Sequence, residues 1–471
     1  MAGDVETAAV AGPGVRPGRA FNPDRSHLRP VTTREELIYL LSRACELEHG
    51  LACLYLFAAH SLKSDVREGG MTGDQVVMVR RWRAHLARVA VEEMLHLAQA
   101  SNMLTAVGGA PNFRRTNFPL PPTAFPFGLS LTLEPFSTLT IERFVTYELP
   151  EPGVLSPEEQ AACDAVRARV IAAQGEHAAG RLDAERVEDL EPFEIDFTTV
   201  GELYHKIETA FWSIDQQELF IGPPEAQANG RFLDFGGELV SVVDRASACA
   251  GIDMIIEQGE APTAAHPDAH YAIFEGIRRE LAAELAAAAA SGVPFEPVRP
   301  VTPNPMTRYY DDTSGGTIIA EETTHDAADL FNVAYDTMVQ MLLRFFSHTD
   351  ESDDELEFLS RSTLRLMTSV LRPLGDALAK MPIDPSGLPG RTAGPGFGYN
   401  RDIHLLSHQR SAWMFFAERL WELATSATTL WQRPGVPTEV QEAAATLQDL
   451  ACIFAERLGL SGAKASEAKA A

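Results

Sequence analysis

Cysteine is scarce in this chain, five residues in 471: Cys45, Cys53, Cys163, Cys249 and Cys452. They are odd in number and widely spaced, and none forms a C-x-x-C pair. That pattern argues against a disulfide framework, structural zinc and iron–sulfur clusters, and it makes a reducing cytoplasm the expected location. Basic residues are also in short supply, 39 Lys and Arg against 66 Asp and Glu, for a formal net charge of −27. A surface of that sign repels phosphate backbones and anionic lipid, which excludes nucleic acid and membrane surfaces as expected partners. Part of the acidic excess lies in Asp350 to Glu357 (DESDDELE), read as a loop entering a helix with its acids at the positive end. No apolar run reaches the roughly 20 residues of a membrane span, and no apolar leader core is visible near the N-terminus.

What is present is helical texture. With 45% hydrophobic residues the chain can bury more than one core, and its length predicts two or three units. Residues 1–29, rich in Gly, Ala, Pro and Arg, are expected to form a flexible arm, and residues 461–471 a flexible tail. Residues 30–290 are expected to form a bundle interrupted by a long insertion, 108–197. The proline-punctuated first part of that insertion, with a short alternation at Leu129 to Leu133, reads as extended chain packed over the bundle, a natural lid. Ser156 to Ala184 reads as a helix within it. Residues 321–460 are expected to form a second helical unit, with helices at Asp326 to Phe346, Glu355 to Lys380, Ser407 to Gln432 and Thr438 to Leu458 around a Pro/Gly-rich loop.

The chemistry begins at Glu93-Met-Leu-His96, inside the segment Arg80 to Val107. A carboxylate and an imidazole three residues apart project from one helix face. Leu86, Val89, Glu93, Leu97, Ala100 and Leu104 follow the helical apolar period, so Glu93 sits in the middle of an inward stripe. A charge on that stripe needs a partner. Arg34 to Leu62 reads as a second helix, capped by Thr32 or Thr33, whose stripe of Leu37, Leu40, Leu41, Ala44, Leu51, Tyr55 and Ala58 contains Glu48. Two helices that each bury a carboxylate, one with a histidine three residues on, match half of a carboxylate-bridged metal motif in a four-helix bundle.

The other half is expected from Thr199 to Ile214 and Leu239 to Glu260. In the third helix Glu208 flanks the apolar face and is the expected ligand, with Glu202 as its alternate. The fourth carries Glu257-Gln-Gly-Glu260 where Glu-x-x-His would complete the motif. Glu260 is the expected ligand and Glu257 the alternate, and His270, past the Pro262 break, is expected to supply the missing imidazole from a helix folding back. Asp253 reads either as a further member of the cluster or as a hydrogen-bond partner. His49, His85, His205 and His408 read as structural, and Tyr55 and Tyr204 as core residues within about two turns of ligands.

The strings CELEHGLACLYLFAA, EEMLHLAQASNMLTAVGGAPNF, VGELYHKIETAF and EQGE followed by HYAIF resemble the ferritin-like domain family that includes the iminophenyl-pyruvate dimer synthases of violacein- and rebeccamycin-type pathways. The resemblance covers roughly residues 30–290. Ala261 stands where a glycine usually follows QGE, and the chain lacks the length of the large dimer synthases. The resemblance implies a metal-binding four-helix core and a role in bacterial secondary metabolism.

The expected fold is therefore all-α, a ferritin-like bundle with an insertion and a C-terminal helical unit. The expected function is a non-haem metal-dependent oxidase or oxygenase acting on a small organic substrate with O2, using one or two iron ions, with manganese and copper as alternatives. Two other readings remain beside it: a coupling enzyme like the dimer synthases, and a metal-handling, ferroxidase-like protein without an organic substrate. A homo-oligomer is left open.

Overall fold

Thr33 and Thr72 start the two helices on which the rest is assembled. In the computed structural model, which describes residues 28–120, 129–151, 154–178, 193, 197–233, 235, 237–261, 266–309, 315–385, 390–400 and 403–460, Thr33 caps α1 (Arg34–Ser61) by accepting from Glu36 N at 3.2 Å. Thr72 and Gln75 cap each other reciprocally, so α2 (Gly73–Ala106) begins well before the expected Arg80. The apolar stripes of both helices are buried as their period requires. Each such Leu or Val contributes roughly 1.5–3 kcal/mol by leaving water.

The insertion departs from expectation. Ser137 accepts from Thr140 N at 3.0 Å and starts a helix, α3 (Thr138–Tyr147), in a segment read as extended. Ile141, Phe144 and Val145 have helical rather than strand spacing, and that period outweighs the surrounding prolines. Leu129, Leu131 and Leu133 are buried in alternation, and Leu131 pairs with Leu120 through an isolated bridge. α4 (Pro157–Ala178) follows; the rest of the helix expected to reach Ala184 lies outside the described residues.

After α5 (Val200–Ser213) and the short α6 (Gln216–Leu219), α7 (Arg245–Gly259) starts later than the expected Leu239, because Asp244 and Ser247 form a capping box there. α8 (His270–Ser291) ends at Gly292, whose φ of 69° suits a left-handed cap. α1 packs on α2 and α5, and α7 packs on α5 and α2, which closes a four-helix bundle. α3 lies on α8, and α8 touches α2 and α7.

Downstream, α9 (Glu322–Phe346), α10 (Asp353–Leu366), α11 (Arg372–Leu378), α12 (Gln409–Trp431) and α13 (Thr438–Arg457) pack together. α10 and α11 run on through a π-helical turn at Met367–Leu371. Pro373, which has no N–H to donate, lies just after this wider turn. One apolar core runs through the bundle and these helices. Across the junction His49 of α1 lies 2.6 Å from the Phe113 carbonyl through Nδ1 and 2.5 Å from the Tyr335 hydroxyl of α9 through Nε2. Of the arm expected at 1–29, residues 1–27 lie outside the described residues, while Leu28 is buried and Arg29 pairs with Glu36; the tail at 461–471 and Pro262 also lie outside them. Among the described residues no helix is long and apolar enough to cross a membrane.

Candidate metal centre

Six buried donors converge between α1, α2, α7 and the ends of α3 and α8. Glu48 comes from the middle of α1, Glu93 and His96 from α2, Glu148 from the C-cap of α3, Glu260 from the C-cap of α7 and His270 from the first residue of α8. None is more than 4% exposed. One ligand atom from each of Glu93, His96 and His270 lies within 4.8 Å of the other two.

Glu93 sits between the two histidines. Its Oε2 lies 3.0 Å from His96 Nδ1 and its Oε1 lies 3.0 Å from His270 Nδ1. Each Nδ1 has one more carboxylate oxygen near it: Glu48 Oε2 at 3.9 Å from His96 Nδ1, and Glu148 Oε2 at 3.5 Å from His270 Nδ1. The other oxygen of each of these carboxylates is taken by a buried phenol, Tyr204 donating to Glu48 Oε1 at 2.5 Å and Tyr55 donating to Glu148 Oε1. The two imidazoles are tilted by 29° with centroids 5.3 Å apart. Each anchors its Nε2 elsewhere, His96 on Gln258 Oε1 at 3.0 Å and His270 on Glu92 Oε2 at 3.1 Å. Held at Nε2, both rings aim Nδ1 at the centre, the arrangement by which a neighbouring acceptor orients a metal-ligating imidazole.

Gly201, near the start of α5, lets Glu260 in. A Cβ there would lie 2.2 Å from Glu260 Oε2, while Glu260 Oε1 accepts from the Gly201 N–H. Glu260 Oε2, Glu93 Oε1 and His270 Nδ1 are buried without an aligned hydrogen-bond partner. Glu93 Oε1 and His270 Nδ1 lie 3.0 Å apart and attract each other, so Glu260 Oε2 is the buried atom left without a partner, and such orphans are rare enough in folded proteins to call for a cation.

The electrostatics agree. Burial first, then the Glu93 charge, pushes Glu48 well above the usual carboxylate range; burial with Glu148 and Glu151 does the same to Glu260. Burial pushes Glu93 up to about 7, held back by His270. Burial opposes charge on His270, but Glu93, Glu148 and Glu92 outweigh it and hold that imidazole protonated, while burial keeps His96 neutral. Burial would raise Glu148 too, yet the hydrogen bond and charge of His270 hold it below its ordinary value. Without a cation this many carboxylates cannot all ionise together.

The structure brings Glu48, Glu93, His96, Glu260 and His270 to one place, and it corrects the third helix. Glu208 has the right phase but the wrong level. It lies one turn beyond Tyr204, about 6 Å along the axis, and pairs with His205 Nδ1 at 3.1 Å, while Glu151 meets His205 Nε2 at 3.0 Å. The alternate Glu202 accepts from Thr198 N at 2.6 Å and Thr198 Oγ1 at 2.8 Å, and the alternate Glu257 is exposed. α5 contributes Gly201 and Tyr204 instead. Glu148 is not among the expected ligands, although Ile141, Phe144, Val145 and Glu148 carry the same signal as α2, a carboxylate on a helical apolar stripe. Glu92 and Gln258 have no sequence signature of their own.

A family model described as Ferritin-like matches residues 41–279. The chain is 28% identical over 393 residues to a 2-imino-3-(indol-3-yl)propanoate dimerase of Chromobacterium violaceum, covering 78% of this chain and 34% of that protein. It is 26% identical over 436 residues to a dichlorochromopyrrolate synthase of Lentzea aerocolonigenes, covering 86% of this chain and 40% of that one. It thus spans little more than a third of the length of these relatives. A crystal structure of a ferritin-like protein from Caulobacter vibrioides aligns with 70% of this chain and 96% of its own, at 17% identity and a TM-score of 0.40.

Proposed function

Given that this chain belongs to the ferritin-like family, we propose that it is a dinuclear non-haem metal enzyme of natural-product biosynthesis that oxidatively transforms an α-imino acid or a related small organic acid. The observation that carries the reading is the paired geometry about Glu93, with one imidazole Nδ1 and one phenol-capped carboxylate on each side. Four carboxylates with two imidazoles is the donor set of dinuclear carboxylate bundles, reached here from different helices. The imino-acid class comes from the name of the Chromobacterium relative. Iron is the first choice for this mixed oxygen and nitrogen shell, ahead of manganese and copper.

Such ions, when bound, would bind dioxygen and supply oxidising equivalents. The chain's own part is to orient both Nδ1 lone pairs, to hold Glu48 and Glu148 by one oxygen each, and to keep bulk water out. The void at the centre is only ≈ 10 Å³, lined by Leu51, Val200, Ile255 and Ile256 beside the polar groups. That is about the space of one water, so an organic substrate requires the walls to open. The same small void favours a second reading, a metal-handling protein that oxidises iron alone.

The deciding experiment supplies Fe(II)-loaded protein with dioxygen and an α-imino acid generated in situ from an aromatic amino acid. Catalytic oxygen uptake that depends on the imino acid, with a coupled or oxidised product by mass spectrometry, is expected. Uptake limited to the iron present, with the organic compound untouched, would favour the second reading.

Metal occupancy should also depend on pH. Each ligand must lose its proton to bind, and Glu48, Glu93, Glu260 and His270 all hold theirs to higher pH than usual. Occupancy at fixed free metal should therefore fall as pH drops from 8 to 6, measured by elemental analysis after equilibrium dialysis.

A further inference from the structure

The two sides of Glu93 are alike in their inner donors and unlike in what stands behind them. His270 Nε2 is backed by a carboxylate, Glu92, which Arg88 grips through Nε at 3.0 Å. His96 Nε2 is backed by the neutral amide of Gln258. An anionic partner makes an imidazole a stronger donor to a metal than an amide does, and such partners are worth about 10- to 100-fold in metal affinity. The surroundings differ as well. Tyr55, which caps Glu148, is clamped by Phe144 and Phe274 with ring centroids 4.7 and 4.9 Å away. On one side Glu48, its phenol cap Tyr204 and His96 all line the central void; on the other Glu148 reaches it, while its cap Tyr55 and His270 do not line it.

Building on the dinuclear reading, we propose that the two ions are inequivalent: a tightly held, closed ion between Glu148 and His270, and an exchangeable ion between Glu48 and His96 that takes the external ligand. Glu92 and Gln258 set the difference as positioning residues, acting through the imidazoles without touching the ions. The external ligand is a small donor such as dioxygen or a carboxylate oxygen of the substrate, admitted from the void. The Glu148–His270 ion keeps the bundle ends together.

Cobalt(II) tests this without turnover, since its visible spectrum reports each ion as it binds. Titration of the full chain should show two steps with dissociation constants at least about tenfold apart. Azide should change the spectrum of the second ion bound and leave the first untouched. His96→Ala should lose the weak step and His270→Ala the tight one. Gln258→Glu should tighten the weak step about tenfold, and Glu92→Gln should loosen the tight one by as much, so that the two merge. Two equal steps in the unaltered protein, azide acting on the first ion, or the two alanine variants behaving the other way round would overturn the inference and leave the dinuclear site standing. Binding of no cobalt at all would overturn the site itself, and the inference with it.

Discussion

Glu93→Gln is expected to abolish stoichiometric metal binding and to make the metal-free protein more stable above pH 7. Glu93 lies 3.0 Å from the Nδ1 of both histidines, so both proposed ions would lose a ligand at once. The stability gain follows from its proton affinity. Burial raises its pKa from 4.5 to about 7, so the folded chain holds a proton that the unfolded chain has released, and stability falls as pH rises from about 4.5 through 7. A shift of that size corresponds to a penalty on the order of 3 kcal/mol above pH 7, which the amide never incurs. Thermal melts in chelator at pH 5 and pH 8, beside elemental analysis, check both halves. A variant that keeps its metal, or that melts below the parent at pH 8, would remove Glu93 from its central role.

The second large effect is expected at Glu148. Glu148→Gln should lower metal content from two ions to about one per chain, as much as His270→Ala does, and should suppress oxidative turnover by about 100-fold or more, in the range set by loss of catalytic metal or its close partners. Glu208→Gln and Glu257→Gln should leave metal content unchanged, because one carboxylate lies a turn away on His205 and the other faces solvent. Binding measured by equilibrium dialysis with inductively coupled plasma analysis separates these cases. Full occupancy in Glu148→Gln would show that α3 merely borders the site.

The difference between Glu148 and Glu208 marks where sequence reasoning runs out. Glu48 and Glu93 were legible because a long helix repeats its period often enough to fix which face is inward. His270 was legible by subtraction, since the helix before it ended without an imidazole. For Glu208 the period gave the correct face, but a helical wheel discards height along the axis. Height is set by how α5 docks, with Gly201 against Glu260 and Tyr204 against Glu48. Glu148 closes a ten-residue helix between prolines, where fewer than three turns leave the period weak beside the turn signals. Gln258 and Glu92 matter only through where a distant imidazole points, and that is known only once the helices have packed. The all-helical downstream region was legible to within a few residues at most ends, since its boundaries lie at ordinary caps and prolines.

The donors are drawn from the stretch between residues 48 and 270, and the last to be synthesised is His270. A nascent chain that has released only α1 and α2 from the ribosome can present Glu48, Glu93 and His96, half of the set. The remaining donors depend on contacts between segments far apart in sequence, which form late because their loops must close first. Metal uptake should therefore report that synthesis and folding of the bundle are complete. A chain stopped at residue 265 has every donor but His270 and should bind at most about one ion, as His270→Ala does. The order in which the ligands emerge would then defer metal loading until the scaffold that shapes the site is built.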